Sequence, residues 1–201
     1  ALPPPERLLR QERSTSALIF YWGIRRSFPE LGLHNIFFSA DYKKEFADLF
    51  RRRALPDDPT IYINITSKHE PTDAPPGCEN WFVMINAPHD QGQDWPTQIA
   101  ACRQAVLARL SAGLGTAIEP LIETEALLEP REIERRTSSS GGALYGNASN
   151  SPLAAFLRQA NFSRRLPGLY FCGGSVHPGG GIPLCLHSAR IMAAQVPAVK
   201  S

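Results

Sequence analysis

A chain of 201 residues, 43% hydrophobic and 20% charged, can bury a real core as one large domain or two small ones. Its net charge of +2 sets up no strong field, so the charge does not point to nucleic acid. Four dispersed cysteines (Cys78, Cys102, Cys172, Cys185) form no CxxC pair, and no apolar run reaches the ~20 residues that span a bilayer, which together imply a reducing cytoplasm.

Pro3, Pro4 and Pro5 cannot continue a helix or a central strand, so the chain opens as a connector. With no initial Met and no signal-peptide pattern, it reads as a fragment. Residues 14–24 (STSALIFYWGI) are rich in β-branched and aromatic side chains and predict a long strand, covered on both faces around Leu18 to Trp22. Residues 34–38 predict a second, short strand. Asp41 is placed to cap a helix over 42–53, with Phe46, Leu49 and Phe50 on one stripe. The run Arg51, Arg52, Arg53 is either a solvated helix end favoured by the dipole or a contact for anionic lipid.

Alternation in 60–66 (TIYINIT) sets Tyr62 and Asn64 opposite Ile61, Ile63 and Ile65 on a third strand. A loop of turn formers follows over 71–77, then a fourth strand over 80–87 (NWFVMINA). Ile99, Cys102, Val106, Leu107 and Leu110 mark a helix over 95–112, ended by Gly113 and Gly115. A fifth strand is expected over 118–128 and a short helix over 130–136. This order predicts a mixed α+β layer.

The composition then changes. Residues 137–150 (TSSSGGALYGNASN) form a small-residue loop, 152–159 a short helix, and 166–172 (LPGLYFC) a buried strand. That strand runs into Gly173-Gly174-Ser175-Val176-His177-Pro178-Gly179-Gly180-Gly181. A helix over 182–196 follows, with Pro183 in its first turn. Glycines allow a flat or anionic ligand to approach the backbone, and a helix start offers unpaired N–H groups with partial positive charge. The spacing is neither GxGxxG nor a P-loop. Cys172, His177, Cys185 and His187 lack the paired spacing of a zinc site. His177 either acts as an acid or base or holds the loop by hydrogen bonds; His187 reads as a packed or surface residue.

GLYFCGGSVHPGGGIPLCLHSARIMAAQ (168–195) resembles the C-terminal signature of bacterial phytoene desaturases and carotenoid 3,4-desaturases. HNIFFSADYKKEF (34–46), LPDDPTIYIN (55–64), APPGCENWFVMINAP (74–88) and GGALYG (141–146) resemble further segments of that family, in the family's order. The strand STSALIFYWGI leans toward the hydroxycarotenoid branch.

The resemblance implies a fold similar to flavin amine oxidases and FAD as cofactor. Residues 1–136 would be part of a substrate-binding domain with a mixed β-sheet and helices. Residues 137–201 would be the strand–loop–helix that returns to a Rossmann-like FAD domain, whose N-terminal FAD-binding part is missing and becomes a partner. Gly173, Gly174, Ser175, Gly180, Gly181, Ile182 and Pro183 would touch the cofactor. Among the aromatics, Tyr145, Phe20 and Trp22 would line an apolar tunnel for a carotenoid, although core packing also accounts for such side chains. The implied activity is desaturation of phytoene or a hydroxycarotenoid, at a membrane surface that the protein touches without crossing. An isomerase or oxygenase on the same fold, or a non-catalytic fragment binding an apolar ligand, are the rival readings.

Overall fold

The structure is a computed structural model and describes residues 11–148 and 158–197. The expected connector at the start and most of the expected helix over 152–159 lie outside the described residues. Two compact units are present, one of Thr15–Gly142 and one of Ala1–Ser14 with Ala143–Ser201.

The first unit is α+β and is built on a five-stranded sheet in the order β2-β3-β4-β1-β5. The strands are β1 (Ser16–Ile24), β2 (His34–Phe37), β3 (Ile61–Asn64), β4 (Glu79–Ala87) and β5 (Ile122–Leu128). All four pairings are antiparallel, where a mixed sheet was expected. The physical reason is the place of β1. The connection from β4 to β5 passes over β1, so β4 and β5 run in the same direction but are never neighbours.

Side chains alternate along each strand, and one face of the sheet is covered over its central strands β3, β4 and β1. Leu18, Phe20, Trp22 and Ile24 of β1 join Trp81, Val83 and Ile85 of β4 and Ile61 and Ile63 of β3 in one apolar cluster. Helix α2 (Trp95–Leu114) closes that cluster with Trp95, Cys102, Val106, Leu107 and Leu110. Its first turn is capped by Asp94, whose carboxylate accepts from the Thr97 N–H. Gly113 stays helical, and Gly115, with φ 61°, ends the helix. On the opposite face Ala17, Ile19 and Ile133 form a smaller buried cluster, Ile133 being carried by α3 (Pro130–Thr137).

Three elements differ from expectation. Helix α1 (Tyr42–Ala47) is capped by Asp41 as foreseen, but it widens into a π-helical turn, Asp48–Arg52, and stops at Arg53 with φ 56°. The segment before β5 forms a 3₁₀ turn, Glu119–Leu121, because Pro120 offers no ladder N–H. Residues 166–172 do not form a buried strand. Pro167 and Gly168 (φ 84°) occupy the centre of a β-turn in which the Leu169 N–H donates to the Leu166 carbonyl at 3.2 Å. A single bridge, Phe162 to Tyr170, remains of the expected pairing.

In the second unit, residues 12–14 pair with 146–148. The Ser14 N–H donates to the Gly146 carbonyl at 2.9 Å, and Ala148 N–H to the Glu12 carbonyl at 2.8 Å. Helix α4 (Ile182–Ala193) follows the glycine-rich segment.

Candidate functional site

Gly173 to Gly181 is held from beneath by two buried polar residues, Asn161 and Ser188. Asn161 Nδ2 lies 2.9 Å from the His177 carbonyl, 2.9 Å from Ser188 Oγ and 3.2 Å from the Phe171 carbonyl. The Ser188 hydroxyl oxygen also accepts from the Gly173 N–H at 3.1 Å. The Asn161 carbonyl accepts from the Phe171 N–H at 2.8 Å, and the Gln159 carbonyl from the His177 N–H at 2.9 Å. His177 is thus tied down through its backbone, while its ring is exposed, as is His187. Arg158 adds a clamp, donating to the carbonyls of Tyr145 and Gly174 at 3.2 and 3.1 Å.

Two glycines of this segment lie open. Gly173 and Gly181 have φ of 115° and 98°, and a Cβ on either would meet no atom within 4 Å. The Tyr145 ring lies against Gly180 so closely that a Cβ there would collide with it, and Ser175 packs against Gly146. Helix α4 starts at Ile182 and Pro183 with no side-chain cap, and Ile182 is 79% exposed. No Asp, Glu, Lys or Arg occurs from Phe171 to Ser188, so the local field is that of the helix start together with the Arg158 guanidinium at Gly174. Uncapped amides beside open glycine backbone fit the electron-rich edge of a planar cofactor.

The open face of the sheet, in the other unit, is graded. One row across the strands is Ile36, Tyr62, Met84, Ile19 and Leu128, wholly apolar but for a phenol. The next is His34, Asn64, Phe82, Tyr21 and Ala126, with Tyr21 edge-on to Phe82 at 5.5 Å. The last is Asn80, Gly23 and Thr124. Tyr21 is 42% and Ile36 53% exposed, Tyr62, Phe82 and Met84 are half-buried, and Ile19 is buried against Ile133 of α3. A cleft of about 610 Å³ lies over the polar end, floored by Tyr21, Gly23, Phe82 and Asn80 and walled by Pro75 and Thr124.

Of the aromatics expected to line a tunnel, Tyr145 faces the glycine segment. Phe20 and Trp22, each 1% exposed, sit in the core with ring centres 5.4 Å apart, although Trp22 also borders the cleft. Period-2 alternation turns Tyr21, between them, toward the open face. Sequence reasoning passed over Asn161 and Thr124, and weighed Ser188 only as a neighbour of His187 that forms no catalytic pair with it. Asn161 and Ser188 meet across 27 positions, a distance over which no periodicity operates.

Glu79 anchors the inner end of the cleft. Its carboxylate accepts from Phe28 N at 2.8 Å, Ser27 Oγ at 3.0 Å and Trp81 Nε1 at 2.8 Å, with Lys68 Nζ at 2.6 Å. Burial opposes its charge, but Lys68 and these donors outweigh burial and hold the carboxyl below its usual range.

No family model matches the chain. Over 193 residues, 96% of its length, it is 57% identical to a 1-hydroxycarotenoid 3,4-desaturase of Flavobacterium sp. (strain P99-3). The chain belongs to the carotenoid desaturase family. A phytoene desaturase of Neurospora crassa is 35% identical over 94% of this chain. A 4,4'-diaponeurosporene oxygenase of Staphylococcus aureus (strain MSSA476) is 33% identical over 96% of it. The chain spans 40%, 33% and 40% of these three relatives' own lengths. Among the described residues of this family member, no helix is long and apolar enough to cross a membrane, and no cluster of His, Cys, Asp or Glu could hold a metal ion.

Proposed function

We propose that this chain is the C-terminal part of an FAD-dependent carotenoid desaturase acting on phytoene or a hydroxylated carotenoid. The reading is carried by the 57% identity to a 1-hydroxycarotenoid 3,4-desaturase across nearly the whole chain. Residues 1–136 contribute to substrate binding, and residues 137–201 return to an FAD domain of Rossmann type completed by a preceding segment. Gly173, Gly174, Ser175, Gly180, Gly181, Ile182 and Pro183 hold the flavin, and Tyr145 stands beside them. Bound FAD would supply the two-electron acceptor for conversion of a saturated carbon–carbon bond into a double bond.

The residues of this chain bind, orient and keep water out. Bare amides at the start of α4 stabilise negative charge at a ring edge placed there. The apolar rows of the sheet face receive the polyene through Tyr21, Phe82 and Met84, with Phe20 and Trp22 setting that face from the core side. A lipid-soluble substrate implies a cytoplasmic protein that docks on a membrane surface. The oxygenase relative favours a second reading, oxidation of a carotenoid end on the same framework.

Expression of the intact gene product in a host that accumulates phytoene or hydroxylated carotenes, followed by pigment analysis, tests the proposal. Products that gain conjugated double bonds support it. Oxygenated products support the second reading, and unchanged pigments refute both.

A further inference from the structure

We propose that the polar end of the sheet face is a receptor for a hydroxyl group at the end of the polyene, with Thr124 as the residue that selects a hydroxylated substrate. The inference rests on the desaturase reading above, narrows it to the hydroxylated substrate and adds the side chain that reads the hydroxyl.

Gly23 makes room for the notch. It stands between Asn80 on one neighbouring strand and Thr124 on the other. A Cβ on Gly23 would collide with Thr124 Oγ1, so the glycine is what lets that hydroxyl lean across the strand into the cleft. Thr124 Oγ1 has no hydrogen-bond partner among the described residues and is exposed to the cleft. Asn80 is half committed. Its Oδ1 accepts from the Ser67 N–H at 2.9 Å and one amide hydrogen goes to Thr66 Oγ1 at 2.7 Å, which leaves the second amide hydrogen free. The notch therefore offers one donor from Asn80 and one donor–acceptor from Thr124, the complement of an alcohol.

The gradient of the face orients such a ligand. A polyene lies over Met84, Phe82 and the ring of Tyr21, whose phenol is exposed to solvent, and its end arrives at the notch. An alkyl end would strip water from the Thr124 hydroxyl and the Asn80 amide and return nothing; a hydroxylated end replaces that water. Glu79, Ser67 and Thr66 hold the cleft rim in place and are positioning residues.

The test uses the intact protein carrying this chain and two acyclic polyenes that differ only in a terminal tertiary hydroxyl. For each, kcat/KM is measured with the wild type, Thr124→Val and Thr124→Ser. The expected result is a wild-type preference for the hydroxylated polyene of about tenfold, the scale of one good neutral hydrogen bond. Thr124→Val, which keeps the shape and β-branching, erases that preference, mainly through KM; Thr124→Ser retains it. A Thr124→Val enzyme that keeps the wild-type ratio overturns the inference, as does a wild type that converts both polyenes equally well. Conversion of neither polyene would instead remove the desaturase reading on which the inference stands.

Discussion

Replacing Lys68 with methionine is expected to destabilise the Thr15–Gly142 unit by about 3 kcal/mol. The Glu79 side chain is 3% exposed and that of Lys68 17%. Breaking a buried ion pair by removing one partner costs about 3–5 kcal/mol, because the remaining charge is left uncompensated. Three neutral donors stay on Glu79, from Ser27, Phe28 and Trp81, and water reaches the Lys68 position, so the lower end applies. The Phe28 carbonyl, 2.5 Å from Lys68 Nζ, also loses its donor. Glu79→Gln strands a lysine that lies nearer to solvent and is expected to cost less, about 2 kcal/mol. Urea unfolding followed by tryptophan fluorescence is the assay, since all three tryptophans, Trp22, Trp81 and Trp95, lie in this unit. The pH dependence has a fixed sign. The folded carboxyl sits below its ordinary value of 4.5, so the wild-type advantage over Glu79→Gln is complete above that value. It is lost as the pH falls through the lower, folded value. A Lys68→Met loss below about 1 kcal/mol, or a wild-type advantage that survives full acidification, refutes the reasoning.

Ser188→Ala leaves the Gly173 N–H and an Asn161 amide hydrogen without their buried acceptor, a cost of about 1–3 kcal/mol. Hydrogen exchange at the Gly173 amide should accelerate at least tenfold. Burial pushes the Cys102 thiol up to about 12, so a thiol reagent at pH 8 is expected to modify the exposed Cys172 in the native protein and Cys102 only after unfolding. Mass mapping of the labelled peptides checks this. Gly180→Val drives a side chain into the Tyr145 ring and should abolish bound-flavin absorbance in the intact protein, with recovery in the Gly180→Val/Tyr145→Ala double variant.

Much of the first unit was legible in the sequence because its signals are local. Ile61, Ile63 and Ile65 alternate with Tyr62 and Asn64, and all three isoleucines are fully buried. Cys102, Val106, Leu107 and Leu110 recur at helical spacing, and all four are buried in α2 along with Trp95. The Asp41 cap needs only the next three residues. Apolarity alone failed at 166–172, where a Pro-Gly pair turns the backbone before a strand can pair.

The sequence by itself determined which residues share a strand face or a helix stripe, since those periods follow from backbone geometry over a few residues. Tertiary structure alone decided which of the two faces of β1 is covered. Helix α2 closes over Phe20 and Trp22, and Tyr21 is left to the open side. It also decided that Asn161 finds Ser188 and that Thr124 leans over Gly23. Such pairings join residues far apart in the chain, and they are set by how whole elements pack rather than by any neighbour's propensity.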